Sequence, residues 1–299
     1  MSLININGET FGGLRDKVVV ITGGATGIGA VAVTQLLSVG AKVVLGDVKE
    51  PEPTPSDDKF TFIQTDVTEY DTIVNLFATA FKIHSRIDHA ITNAGLVEIG
   101  QLFATGESDD GIREPPPTAV LDVNLKGTVF FTRVAVHYLR KSLIRNSSTQ
   151  KDVSILLVSS VAGFGNWPGL FQYSASKHGV MGLFHSTKDF LYGSEGIRVN
   201  VVLPNMTDTQ MVTGVIAAYK ANGVPINEPK DVADTFLYSL SNDTHGEAYY
   251  VSGGKTYEIE KRLDGVKSKW LGQDLFDELM AGQEALGAGS NWTKRKGGE

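Results

Sequence analysis

Val18-Val-Val-Ile-Thr22 runs without a break into Gly23-Gly-Ala-Thr-Gly-Ile-Gly29, and this junction decides the fold. The first five residues are β-branched and almost wholly apolar, as in a strand buried on both faces. From Ile28 onward, apolar residues return at helical spacing. Glycines at 23, 27 and 29 permit a tight turn, close approach of backbone to a pyrophosphate, and close packing of helix on strand. The helix start, with Thr26 and Ile28 beside those glycines, offers free N–H groups and a positive dipole to an anion. Asp47 closes the next apolar run, about 20 residues further on, which is the spacing of a dinucleotide site.

The same two textures alternate outward from this junction. Strand-like runs occupy 18–22, 42–47, 60–65, 87–93, 153–159 and 198–203, with a weaker one at 248–252. Helical spacing fills 28–39, 70–84, 119–145, 173–192 and 229–240. The strand runs are apolar nearly throughout, so helices must cover both faces. The expected fold is therefore α/β, a Rossmann-type doubly wound sheet of seven parallel strands with helices on both faces, plus a C-terminal extension. Residues 1–254 read as one catalytic and dinucleotide-binding domain, and 255–299 as an extension that serves as lid or interface. Within it 273–281 reads as a helix and 293–299 as a solvated end. Three other segments break the rhythm: a Pro- and Asp-rich loop at 49–59, an irregular insertion at 97–118, and a candidate lid at 205–228.

Composition narrows the function. Among 299 residues, 27 Lys and Arg against 34 Asp and Glu give a net charge of −7, which argues against nucleic-acid binding. The chain has no cysteine, which excludes disulfides, thiolate metal sites and cysteine nucleophiles and fits a cytoplasmic location. No apolar run is long enough to span a membrane. The histidines at 84, 89, 137, 178, 185 and 245 lack metal-ligand spacing, so no metal site is expected. Ser159-Ser160 is not in a Gly-x-Ser-x-Gly elbow, which disfavours a serine hydrolase.

Asp47 bears on the cofactor. A carboxylate there accepts hydrogen bonds from the adenine ribose hydroxyls and repels a 2′-phosphate, and the turn contributes Ala25 and Thr26 rather than a base. The cofactor read from this is NAD. Asp66, before Val67, is placed to accept from the adenine amino group, and Asn93-Ala94-Gly95 to support the ribose side.

The chemistry lies in the second half. Tyr173 and Lys177 are four apart and share a helix face. Such pairs are common on surfaces. Here the chain already carries a dinucleotide turn, and Ser160 ends a strand thirteen residues upstream. A nearby ammonium and an oxidised nicotinamide would draw the phenol's pKa toward the working range. Ser160 would hold the substrate oxygen at the phenol.

The chain resembles the short-chain dehydrogenase/reductase family over about residues 15–254. The resemblance is carried by TGGATGIG at 22–29, Asp66, NAG at 93–95, Asn124, Ser160, YSASK at 173–177 and the Pro204 segment. It implies that Asn124, Ser160, Tyr173 and Lys177 are catalytic, with Asn124 bending its helix around a water that links Lys177 to solvent. Lys177 would also hold the nicotinamide ribose. Pro204 is followed by Asn205 where the family has glycine; asparagine is the non-glycine residue that best tolerates positive φ, so the turn is expected to survive unchanged. Thr209 matches the carboxamide-binding threonine, and Thr207 stands at a nicotinamide contact that is commonly aliphatic. Phe164, Trp167, Phe171, Met206, Met211 and Val212 fall in segments that flank the nicotinamide, implying a bulky lipophilic alcohol or ketone substrate. Assembly as a homodimer or homotetramer through the two long helices is also implied, with Val120, Val123, Gly127, Phe130, Phe131 and Val134 forming an apolar stripe that intramolecular packing would equally explain. Residues 253–272 are similar to fungal members related to the prostaglandin-dehydrogenase-like group, which points to secondary metabolism. The function expected is NAD-dependent interconversion of a secondary alcohol and a ketone. Imine reduction or epimerisation on the same fold, and a non-catalytic NAD-binding regulator, are its rivals.

Overall fold

The computed structural model describes residues 2–6, 8–106, 108–145 and 152–287; the tail segment 293–299 lies outside them. Seven strands form the parallel sheet that the sequence predicts: β2 (Val18–Thr22), β3 (Lys42–Asp47), β4 (Phe60–Gln64), β5 (His89–Thr92), β6 (Ser154–Val158), β7 (Arg198–Pro204) and β8 (Ala248–Ser252). Their order across the sheet is β8-β7-β6-β5-β2-β3-β4. The order reverses between β2 and β5, so a crevice opens there beyond the strands' carboxyl ends.

Two short strands extend the sheet beyond this plan. β9 (Lys255–Glu258) pairs antiparallel with β8, and β1 (Ser2–Ile4) pairs antiparallel with β9, giving nine strands in all. The segment read as a C-terminal extension thus opens inside the sheet. After it come two helices, α8 (Glu260–Leu271) and α9 (Gln273–Ala285).

The near-continuous apolar strands have the predicted cause. Alternate side chains along each strand enter opposite layers. Val18, Val20, Val44, Ala90, Ile155 and Leu157 join one buried cluster, with α2 (Tyr70–His84), α4 (Thr128–Arg145) and α5 (Phe171–Glu195). Val19, Ile21, Val43, Leu45, Ile91 and Leu156 join the other, with α1 (Gly27–Ser38) and α7 (Pro229–Ser241). The stripe on the first long helix faces this core: Val120, Phe131 and Val134 are buried, and Val123 and Phe130 pack against the cluster. Intramolecular packing accounts for it.

The helix predicted over 119–145 is not uniform. α3 (Ala119–Leu121) passes through a π turn at Asp122–Gly127 before α4 begins. The candidate lid holds a helix of its own, α6 (Thr213–Ala221). Among the described residues no helix is long and apolar enough to cross a membrane.

Candidate active site

The turn after β2 is built around atoms that leave no room for side chains. Gly23 has φ +70°, and a Cβ there would lie 2.5 Å from the Ala94 Cα. Asn93 seals the contact by donating from Nδ2 to the Gly23 carbonyl at 2.6 Å. A Cβ on Gly29 would overlap the Gly23 carbonyl oxygen and approach Asn93 Nδ2 to 2.5 Å. Thr26 stands in extended geometry at the start of α1 without a side-chain cap bond, and the first helical bond runs from Ala30 to the Thr26 carbonyl. The amides of Gly27, Ile28 and Gly29 precede that bond, at the positive end of the helix dipole. The Thr209 methyl lies 3.5 Å from where a Gly27 Cβ would be, so the loop after β7 reaches across to the same turn.

Two carboxylates follow along this edge. Asp47 accepts from the Ala25 N–H at 3.0 Å through one oxygen and from the Lys49 N–H at 3.4 Å through the other. Each oxygen keeps a second lone pair for a further donor. Asp66 uses one oxygen on the Thr68 N–H and hydroxyl, at 2.9 and 2.8 Å. Val67 is buried against Gly127, where a Cβ would meet its side chain at 2.9 Å. The glycine cradle, the helix-start amides and the acid at the end of β3 fit a dinucleotide.

Beyond β6 the chain places the chemical groups. Ser160 caps a short 3-10 turn, accepting from the Ala162 N–H at 3.2 Å and donating to the Pro204 carbonyl at 3.4 Å. Tyr173, two residues into α5, brings its phenol close enough to the Ser160 hydroxyl for the serine to oppose part of the phenol's pKa shift. Lys177, one turn further along, is buried, donates from Nζ to the Val158 carbonyl at 3.0 Å and lies 5.7 Å from the Tyr173 ring centre. Burial lowers its pKa to about 8. Burial also pushes the Tyr173 phenol above its ordinary value, and the Ser160 hydroxyl pulls it part of the way back. Loss of water around the phenol thus sets the direction of its shift, opposite to the one expected from a nearby ammonium.

Asn124 sits in the π turn. Its side chain accepts from the Leu96 N–H at 2.8 Å and donates to the Leu96 carbonyl at 2.9 Å and to Ser176 Oγ at 3.1 Å. Its carbonyl accepts from the Thr128 hydroxyl at 2.7 Å. A Cβ on Gly95 would meet Asn124 Oδ1 at 3.4 Å and Lys177 Nζ at 3.7 Å, so both groups flank the same glycine.

Residues 17–220 match the model of the short chain dehydrogenase family. The chain belongs to the short-chain dehydrogenase/reductases. It is an oxidoreductase of CH–OH groups. A short-chain dehydrogenase/reductase of Acremonium egyptiacum is 33% identical over 265 residues, covering 88% of this chain and 87% of that protein. The 5′-hydroxyaverantin dehydrogenase of Dothistroma septosporum is 29% identical over 308 residues, covering 95% and 99%. Among solved structures, a 3-ketoacyl-(acyl-carrier-protein) reductase from Brucella melitensis complexed with NADH superimposes with TM-score 0.69, at 22% identity, over 81% of this chain and 98% of that one.

The loop after β7 holds a departure from this family's pattern. Asn205 does not adopt positive φ; among the described residues only Asp16 and Ser85 do so without being glycine. Its side chain instead accepts from the Met206 N–H at 2.8 Å and donates to Ser252 Oγ at 3.2 Å. The turn is thus rebuilt on side-chain hydrogen bonds. Thr207 is buried, and its hydroxyl donates to the Asn205 carbonyl at 2.9 Å. Asn227, which no local pattern marks, is fully buried and joins Thr207, Val251 and Gly254, tying the base of the lid to the β8–β9 hairpin.

The apolar residues expected around the substrate lie on three segments. Phe164, Phe171 and Met211 are exposed, while Trp167, Met206 and Val212 are partly buried. Phe164 lies 6.1 Å from Tyr250 and Phe171 meets Phe103 edge-on at 4.8 Å, measured between ring centres. The Trp167 indole donates to the Val161 carbonyl at 3.3 Å. Tyr250 and Phe103 lie in no motif, so no sequence pattern announces these ring contacts.

Proposed function

We propose that this short-chain dehydrogenase/reductase is NAD-dependent and interconverts a secondary alcohol and a ketone on a bulky lipophilic substrate. The observation that carries the reading is the meeting of Tyr173 with Ser160 and Lys177 at the carboxyl edge of the sheet, beside the glycine turn. Asp47 supports NAD over its 2′-phosphorylated form, since a second negative charge would face that carboxylate. Gly23, Thr26, Gly27, Ile28 and Gly29 would hold the pyrophosphate, Asp66 and Val67 the adenine side, and Asn93, Ala94, Gly95 and Lys177 the inner ribose. Pro204, Thr207 and Thr209 would border the nicotinamide. Bound there, NAD would exchange hydride with the carbinol carbon and, when oxidised, add positive charge near the phenol.

The chain's own residues handle the proton. In oxidation the Tyr173 phenolate takes the hydroxyl proton; in reduction the phenol returns it. Ser160 keeps the substrate oxygen within reach, and its second bond to Pro204 fixes where it stands. The Lys177 ammonium, aimed by its bond to Val158, favours the phenolate electrostatically. The exposed rings of Phe164 and Phe171 favour a lipophilic substrate, and the Dothistroma relative, named for the dehydrogenation of a hydroxylated compound, is consistent with an alcohol.

Turnover with NAD and with NADP across a panel of secondary alcohols tests the reading. NAD should be preferred, and Tyr173→Phe should lower the rate by about 10²- to 10⁴-fold. Preference for NADP, or a full rate in that variant, refutes it.

A further inference from the structure

We propose that Glu98 is a positioning residue for Tyr173, and that it clamps the catalytic helix to the loop that would carry the inner ribose of the cofactor. The proposal rests on the catalytic role given to Tyr173 above.

α5 begins poorly for a helix of 25 residues. Its N-cap is Leu170, which has no side-chain acceptor for the first-turn amides. Both missing acceptors come from far upstream in the sequence. Glu98 Oε2 accepts from the Tyr173 N–H at 2.8 Å, and Oε1 accepts from the Gln172 N–H at 3.3 Å. A carboxylate across two amides at the positive end of a helix makes charge-assisted bonds with defined geometry.

The other side of Tyr173 is held by the same segment. Its carbonyl accepts from Ser176 Oγ at 2.7 Å. Ser176 Oγ in turn accepts from Asn124 Nδ2, and Asn124 grips Leu96 by both N–H and C=O. The amide and the carbonyl of Tyr173 are therefore tied to residues 96–98, one directly and one through two side chains. That segment continues from Asn93 and Ala94, which clasp Gly23. The closed circuit sets where the phenol stands relative to the phosphate turn. Two further fastenings lie along the insertion: Phe103 meets Phe171 near its start, and at its far end Gln172 Nε2 donates to the Pro117 carbonyl at 2.8 Å.

A plain helix cap would affect stability alone; a positioning residue also moves the rate and its pH dependence. The test uses the full chain with Glu98→Ala and Glu98→Gln. Amide hydrogen exchange without substrate should show the amides at 172 and 173 exchanging at least about tenfold faster in the alanine variant, the signature of lost bonds. With NAD and the best alcohol of the panel, kcat should fall about 10- to 100-fold, as for a slight misplacement of a reacting group, while the KM for NAD stays within about twofold. Glutamine keeps one of the two acceptors and should recover part of the rate. It also removes a negative charge near the Tyr173 amide, so the acid limb of its kcat/KM profile should move to lower pH. Unchanged exchange shows that the clamp does not exist. Faster exchange with unchanged kcat and pH profile reduces Glu98 to a cap, and both results overturn the proposal. If the alanine variant does not fold, the glutamine variant's rate and profile decide alone. Exchange is read without turnover, so a wild type inactive on every alcohol would count against the catalytic reading and leave the clamp measurable.

Discussion

Polar residues gather at both ends of the parallel sheet, and the two ends differ in how many hydrogen-bonding positions are already taken. At the amino end, ahead of β2, β5, β6 and β7, they close on one another. Asp152 pairs with Arg198 at 2.6 Å and with Lys17 at 3.4 Å. Arg198 also donates to the carbonyls of Ser239 and Thr244, and Asp88 accepts from the Val18 N–H and pairs with Arg86. His89 Nδ1 shares a 2.9 Å hydrogen bond with Ser154, although its buried Nε2 has no partner among the described residues. At the carboxyl end the groups keep capacity in reserve. Among the described residues Thr26 does not cap the amides that follow it and the helical bonds start only at Ala30, Asp66 engages one oxygen, and Lys177 spends one donor on Val158. The difference teaches that a polar cluster whose charges are paired within the chain holds the sheet together, whereas one with charges and amides left over is open to a ligand.

Substitutions at each end test that contrast. Lys177→Met should cost about 10³-fold in turnover without lowering the melting temperature, since it removes a buried charge that has few protein partners. Steady-state rates beside a thermal melt would show it, and a clear drop in melting temperature would erase the distinction between the ends. Asp152→Ala should do the reverse, leaving the Arg198 guanidinium buried without its carboxylate. Urea denaturation should report a loss of about 3 kcal/mol, with the rate per folded molecule unchanged.

A pH series sharpens the amino-end half. Burial holds the His89 imidazole neutral and lowers its pKa to about 4. The unfolded chain takes up that proton below about pH 6.5, whereas the folded chain resists until about 4. Stability is therefore fully present above that window and declines as pH falls through it, by about 3 kcal/mol in total. His89→Gln should flatten the dependence of the urea midpoint between pH 6.5 and 5. The smallest effect belongs away from both ends: Lys267→Ala, which breaks a surface pair with Asp264, should change stability by less than about 0.5 kcal/mol.

What the sequence disclosed was what local spacing encodes. The seven parallel strands, the glycine turn and the pairing of Tyr173 with Lys177 each depend on residues within one element or one junction, and all three are found in the fold. The missed features depend on partners far apart. Glu98 meets an amide 75 positions away, which no periodicity announces. Strand β1 has three residues, too few to show a pattern, and pairs with β9 about 250 positions away. β9 is the exception, a local feature that was missed, since Gly253-Gly254 at positive φ turns it back onto β8. Asn205 was readable as an unusual residue, but its solution, side-chain bonds rather than positive φ, depends on Ser252 across the sheet. The phenol's upward shift was equally hidden, because burial is a property of the assembled fold.

The pairing of Ser2–Ile4 with Lys255–Glu258 has a practical side. Without those three residues, one flank of β9 would present bare amides and carbonyls of the kind that recruit another chain edge to edge. They act as a stopper against accretion. A truncation or a bulky fusion at the amino terminus would therefore harm solubility before it touched the chemistry.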